Sequence, residues 1–236
     1  MSGPAPLRGR KGDIPLLAHV AVEMNAPTPV SYDWESDFAL RVAKAPPSVK
    51  ARGFFLQAYL RQLRALGDEE LLAQGLALCG SGPLIELFEY PIDLQLRLLG
   101  LLMPSLVARH GDSTAALRAV GSQDALRFLE STTGRLLLKL TGKDPKRLLT
   151  HTPLGYRMSS APGEHIQEWS GPRSCYWVMK DQIMPLAFHE GILQQLLRWG
   201  GARNFRVVGR QTRLLAAASA VSPDWASLLV VRRLAG

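Results

Sequence analysis

The sequence predicts an α+β fold, with an N-terminal helical part followed by a small antiparallel sheet with one inserted amphipathic helix. From about residue 35 to about residue 150, apolar residues recur at helical spacing. After that come short segments rich in β-branched and aromatic residues, separated by Pro-Gly and Gly-Pro pairs typical of turns. Helices first and strands afterwards is the order of an α+β domain.

The helical part is predicted element by element. "SDFALRVAKAPP" predicts a short helix capped by Ser36, because serine at this position accepts a backbone hydrogen bond. "DSTAALRAVGSQDALRFLESTTGRLLLKLTG" predicts two helices separated near Gly121 and Ser122. "DPKRLLTHTP" predicts a short helix that ends before Pro153.

The second part predicts strands and one helix. "GYRMSSAP", "EHIQEWSG" and "RSCYWVMKD" are expected to form antiparallel hairpins, and "NFRVVGRQT", "RLLAAASAV" and "SLLVVRRLA" further strands. On a period of two, Cys175, Trp177 and Met179 share one strand face with Arg173. "MPLAFHEGILQQLLRWGG" predicts the inserted helix, starting at Pro185.

Length and composition bound the organisation. A chain of 236 residues with 47% hydrophobic and 20% charged residues is ordinary for a globular protein, and can bury a core without disulfides or metals. Residues 1–34 are rich in proline and alanine without a clear period, which predicts a loosely ordered extension. Residues 35–236 are predicted to form a single α+β domain.

The net charge of +8 favours an acidic partner, but Lys and Arg are spread along the chain without a nucleic-acid-binding fingerprint. Nucleic-acid binding is therefore not expected. The longest apolar helix contains Asp93, Arg97 and Pro104, so no membrane span is expected. The absence of a signal-peptide pattern, with two cysteines far apart, favours a reducing cytoplasmic location.

No constellation of residues predicts catalysis. His189 and Glu190 in "AFHEGIL" lack the second histidine of a zinc helix, since Leu193 stands in its place. We interpret the pair as the polar edge of the helix, with a ligand-facing His189 as the alternative. Cys175 is expected to be a buried thiol. No metal and no cofactor is expected.

Several segments in order resemble a large paralogous family of unknown function found in myxobacteria (domain of unknown function 2378). They include "VAKAPPSVKARGFFLQAYLRQLRALGDEELLAQGLAL", "YPIDLQLRLLGLL" and "MPLAFHEGILQQLLRWGGARNFRVV", and the resemblance covers residues 37–225. That family is similar to a fold group of haem-based nitric-oxide sensors, four-vinyl-reductase domains and small vesicle-tethering subunits. Gly191, Ile192 and Leu193 match the Gly-Ile/Leu-Leu helix of this group. The resemblance implies a domain, often dimeric, with an apolar cavity between helices and sheet.

The resemblance also suggests candidate cavity residues: His151, Trp169, Arg173, Cys175 and His189. In the haem sensors the iron ligand is a histidine on a helix before the sheet, a place that His151 would take. Their Tyr-x-Ser-x-Arg signature is matched only in part by "WSGPR", where Trp169 replaces Tyr and Gly171 replaces Ser. The residues therefore do not predict haem.

These observations favour a non-enzymatic regulatory or scaffolding module. It would act in signalling through a homodimer or a protein partner and could hold a small apolar ligand. The alternative is a cofactor-carrying sensor or enzyme that uses the cavity and the five candidate residues around it.

The extension is expected to be dispensable. Because residues 1–34 lack a periodic apolar pattern, deleting them should leave the cooperative unfolding transition nearly unchanged. Thermal unfolding of the full and shortened chains checks this. A large drop in melting temperature would show instead that the extension fills a groove.

Overall fold

The structure is a computed structural model that describes residues 32–159, 164–171, 174–213 and 225–233, with side chains up to residue 209. The described residues from Asp33 onward belong to one compact unit. Its described helices are α1 (Trp34–Lys44), α2 (Gly53–Leu66), α3 (Glu69–Cys79), α4 (Ile92–His110), α5 (Ser113–Glu130), α6 (Thr132–Thr141), α7 (Pro145–Ser159) and α8 (Leu186–Trp199). Its strands are β1 (Lys50–Arg52), β2 (Glu89–Pro91), β3 (His165–Gly171), β4 (Ser174–Lys180), β5 (Phe205–Arg213) and β6 (Trp225–Arg233).

The strands form two antiparallel sheets. β1 pairs with β2, and the larger sheet has the order β3-β4-β6-β5. α8 lies between β4 and β5 in the chain and packs against α5 on one side and β5 on the other. The predicted α+β class is confirmed, as are the hairpin and the helix that follows it.

The β3–β4 hairpin follows the predicted period of two. Cys175, Trp177 and Met179 are all buried, and Trp177 is completely so. Arg173, predicted on the same face, lies outside the described residues, as does nearly all of "RLLAAASAV". The buried face of β4 packs in one apolar core with α8 and α7.

The first helix begins two residues earlier than the predicted cap. The carboxylate of Asp33, and not the hydroxyl of Ser36, caps α1 by accepting the Ser36 backbone N–H at 3.1 Å. Asp33 and Trp34 thus belong to the start of a helix. A deletion from the N-terminus that keeps α1 and its cap must therefore stop at residue 32.

The predicted helix break at Gly121 and Ser122 is wrong. α5 runs through both residues and ends at Ser131, whose hydroxyl caps α6. Gly121 is required for packing: a Cβ there would overlap the carbonyl oxygen of Phe188 on α8. Gly191 on α8 has the same relation to the carbonyl of Arg118. The small residues mark a helix crossing and not a helix end.

The prediction that the next helix ends before Pro153 is also wrong. α7 continues to Ser159 and takes in the "GYRMS" segment that was predicted as a strand. Proline lacks the N–H that would bond the carbonyl of Leu149 one turn earlier. The side-chain amide of Gln167 on β3 donates to this carbonyl at 2.8 Å. A bond from the sheet therefore replaces the missing helix bond.

The helix crossing gives a stability test. Gly121→Ala should destabilise the protein by about 1–3 kcal/mol, because the added methyl meets backbone that can only move with α8. Gly100→Ala is the matched control. Its Cβ would have only the Phe38 ring within reach, at 3.7 Å, so it should be neutral or stabilising by up to about 1 kcal/mol. Chemical denaturation of both variants measures the difference. Equal stabilities would contradict the crossing.

Candidate functional site

A cavity of about 80 Å³ lies between the helices and the residues that lead into α8. Its walls come mainly from α2, α4, α5, α7 and α8 and are mostly apolar. The polar residues that line it are Gln95, Asp124, Thr152, Tyr156, Ser159, Asp181, Gln182 and His189. Apolar walls with a few polar groups are typical of small-molecule sites.

His189 is the most unusual residue of the cavity wall. It is 1% exposed, and its Nδ1 is 2.8 Å from the hydroxyl of Tyr156. Its Nε2 is buried without a hydrogen-bond partner among the described residues. Burial lowers the pKa of His189 to about 3, the charges of His165 and Arg41 act in the same direction, and a weaker interaction with the Met184 backbone acts against them. The imidazole is therefore neutral at physiological pH.

The polar-edge interpretation of His189 and Glu190 is wrong, since both are buried. Glu190 is a structural residue. Its carboxylate accepts from Arg118 Nε at 2.6 Å and from the backbone N–H of Gly209 at 2.7 Å. It thereby joins α8 to α5 and to β5.

A second histidine lies close to His189. The indole Nε1 of Trp177 donates to Nδ1 of His165 at 3.2 Å, which places the proton of the neutral imidazole on Nε2. That Nε2 is also buried without a partner within the described part of the chain. Burial lowers the pKa of His165 to about 4, with a further contribution from the Arg157 charge. The Tyr156 ring packs against both imidazoles.

A hydrogen-bonded cluster on α2, α4 and α5 contributes Gln95 and Asp124 to the wall. The Tyr59 hydroxyl donates to Asp124 at 2.6 Å and accepts from Gln95 at 3.2 Å. Arg127 donates to the same carboxylate at 2.8 Å. Burial nevertheless raises the pKa of Asp124 to about 6, against the effect of the Tyr59 and Arg127 bonds.

The structure brings only one of the described candidate residues to the cavity. His189 lines it, whereas His151, Trp169 and Cys175 are not among the described lining residues. Trp169 packs on the core with the Lys146 ammonium 4.8 Å from its ring centre. The Cys175 thiol donates to the carbonyl of Tyr176, and burial raises its pKa to about 11. Arg173 lies outside the described residues.

Sequence reasoning missed Tyr156, His165 and Asp124 as site residues. A usable signal existed for Asp124, which continues the apolar series Ala116, Leu117, Val120 at helical spacing and so faces the core. Tyr156 was assigned to a strand, and this concealed its place on α7. In the part of the chain described by the structure, no three His, Cys, Asp or Glu side chains are grouped to hold a metal ion, and no helix is long and apolar enough to cross a membrane.

Comparison with known proteins identifies a family and a fold. Residues 44–225 match the family described as "Protein of unknown function (DUF2378)". No functionally curated protein matches the sequence. Several solved structures share the fold at low sequence identity, and three of them are described next.

The Fe(II) unliganded H-NOX protein from K. algicida has a TM-score of 0.53 and 13% identity over 78% of this chain and 97% of its own. A Cs H-NOX mutant with a 4-cyano-L-phenylalanine has a TM-score of 0.51 and 11% identity over 77% and 95%. A protein used to probe haem distortion in the H-NOX family has a TM-score of 0.51 and 12% identity over 77% and 94%. The predicted similarity to the haem-sensor fold is confirmed. At these identities the likeness concerns the fold.

The described residues around the cavity do not fit a haem. Sites for drug-sized ligands enclose about 300–1,000 Å³, and a porphyrin is no smaller than such ligands. The cavity here has about 80 Å³, with the Phe128 and Tyr156 side chains in its wall. His151, on the helix before the sheet, is not part of that wall. No step of a mechanism is therefore assigned to haem.

The buried imidazoles give a prediction for stability against pH. The unfolded pKa of histidine is about 6.5, above the folded values of about 3 for His189 and about 4 for His165. Their stabilising contribution is complete above pH 6.5 and is lost as the pH falls, because the unfolded chain binds two more protons. Asp124 acts in the opposite direction between pH 6 and 3.8, because its folded pKa is raised.

In total, the unfolded chain binds one more proton than the folded chain. The free energy of unfolding should therefore fall by about 1.4 kcal/mol for each unit by which the pH is lowered between roughly pH 6 and 4. His189→Gln removes one titrating group and should make this slope nearly flat. His110→Gln is the control, because His110 is exposed and its substitution should keep the slope. Urea denaturation at several pH values measures both. An unchanged slope in His189→Gln would contradict the assignment.

Proposed function

We propose that this chain, which belongs to the DUF2378 family, is a non-enzymatic regulatory module that binds a small neutral ligand in the cavity. The observation that carries the proposal is the buried Nε2 of His189, a residue of the cavity wall, which makes no hydrogen bond of ordinary geometry with any described residue. A buried polar atom left unpaired costs about 1–3 kcal/mol. A ligand that bonds this nitrogen recovers that energy.

The size of the cavity limits the ligand. An apolar cavity of about 150 Å³ binds benzene, and the cavity here has about 80 Å³. The ligand is therefore a molecule of a few heavy atoms. It is uncharged, because a charge without a buried partner is expensive to bury: Asp124 already accepts from Tyr59 and Arg127, and Asp181 is exposed to solvent.

The chemistry of the described residues supports a role without catalysis. The Cys175 thiol stays protonated, since its pKa is about 11. His189 is too weak a base for proton transfer near neutral pH, where a useful general base has a pKa close to the working pH. Asp124 is held by Tyr59 and Arg127. None of these groups forms an activated nucleophile with another.

The place of His189 supports a regulatory role. The next residue, Glu190, connects α8 to Arg118 and to the β5 backbone, and Gly191 fixes the contact with α5. A ligand bonded to His189 therefore acts on the helix that joins both layers. In this role, a partner protein or a second copy of the chain responds to the resulting change in α8.

Pyrazole is a suitable probe, because it is small and neutral and offers one donor and one acceptor, so it meets either tautomer of His189. Saturable binding should raise the melting temperature by about 5–10 °C at roughly 100 times Kd. Ala125→Leu adds three carbons to the cavity wall and should abolish the shift. Ala73→Leu, the same change on an exposed helix face, should keep it. Acetate should have no effect.

Absence of a saturable shift with pyrazole, or a shift that survives Ala125→Leu, would overturn the cavity proposal. The cofactor-carrying alternative has its own readout. Purified protein should show no Soret band. A stoichiometric Soret band would support that alternative and contradict a ligand of a few atoms.

A further inference from the structure

The loop of residues 80–88, between α3 and β2, combines a fixed backbone with exposed apolar side chains. Ile85, Leu87 and Phe88 are 44%, 60% and 58% exposed. Of the large apolar residues exposed in the described part of the chain, most fall between residues 76 and 88. Exposed apolar side chains that are grouped in this way mark interaction surfaces.

Hydrogen bonds hold the backbone of this loop in place. The backbone N–H groups of Gly53 and Phe54 at the start of α2 donate to carbonyls of the loop at 2.9 and 3.0 Å. Other donors to the loop backbone are Arg52 Nη1 to Leu87 O at 2.9 Å and Gln57 Nε2 to Leu84 O at 2.7 Å, while Ile85 N donates to the Tyr90 hydroxyl at 2.8 Å. The apolar side chains are thus presented by a preorganised backbone, which reduces the entropy cost of binding.

A groove of about 440 Å³ adjoins the loop between α2 and α3. Leu60, Leu76 and Leu84 supply apolar wall, and Arg61 and Arg64 are the charged residues that line it. Both arginines are exposed, and neither forms an ion pair with any residue that the structure describes. The groove shares no described lining residue with the cavity.

We propose that this groove and the 80–88 loop dock an amphipathic helix of a partner protein that carries Asp or Glu beside its apolar face. A groove between two helices accepts a third helix through apolar residues at helical spacing. The two arginines supply charge complementarity for an acidic edge, in keeping with the net charge of +8. A two-fold dimer through the same face would place four arginines in one interface, which favours an acidic partner over a second copy.

A selection experiment tests the chemistry of the occupant. A phage library of random peptides about 16 residues long, enough for four helical turns, is selected on the full chain and counter-selected on the Arg61→Glu/Arg64→Glu variant. The enriched consensus should combine apolar residues at i, i+3 and i+4 with Asp or Glu. The best peptide should bind the variant at least about tenfold more weakly, and exchange of its acids for Lys should restore binding to the variant.

Matched variants locate the site. Arg135→Glu/Lys139→Glu changes the same charge on an exposed face of α6 and should leave peptide binding unchanged. Leu87→Ser/Phe88→Ser should weaken binding, while a preserved circular dichroism spectrum shows an intact fold. No peptide enriched over the counter-selection, a consensus without acids, or failure of the charge exchange would overturn the proposal. Sedimentation as a dimer that Leu87→Ser/Phe88→Ser dissociates would assign the surface to a second copy instead, which also overturns it.

Discussion

The close crossing of α5 and α8 is the contact on which the rest of the domain depends. Gly121 and Gly191 bring the two backbones together without side chains between them. Around this point Ser122 donates to the carbonyl of Gly191 at 3.0 Å, and Arg118 bonds Glu190. Backbone contact and polar bonds fix α8 in both position and rotation. The orientation of every α8 side chain, including His189, follows from this crossing.

A fixed α8 determines what the cavity contains. Phe188, the residue before His189 on α8, also lines the cavity, and the Tyr156 hydroxyl contacts His189 from α7. Trp177 holds His165 from the sheet, so that two neutral imidazoles contact one tyrosine side chain. The cluster is largely apolar, and burial lowers both histidine pKa values. Among the described residues the Nε2 atoms of both rings have no hydrogen-bond partner, and this combination favours a neutral ligand over an ion.

The sequence predicted helices before the larger sheet and the alternation of β4, because both depend on local periodicity, but the short strands β1 and β2 lie in a region that was predicted to be helical. It failed at Gly121 and Pro153 for one reason. From sequence alone, a glycine predicts a helix break and a proline predicts a helix end. Both predictions fail when a residue distant in sequence makes a contact that stabilises the continuous helix. Here the partners are the Phe188 carbonyl and the Gln167 amide, and neither is near in sequence. The same limit applies to the site: His189 was a candidate, but it lies among residues distant in sequence, such as Tyr156 on α7 and His165 on β3.

The cavity and the docking groove are physically connected through α2. Phe55 lines the cavity, and two residues later Gln57 begins the wall of the groove. α2 is held at its start by hydrogen bonds to the 80–88 loop and on its inner face by the Tyr59–Asp124 bond. The two proposed sites thus share one helix, and coupling between them would require α2 to have two positions that both sites bias.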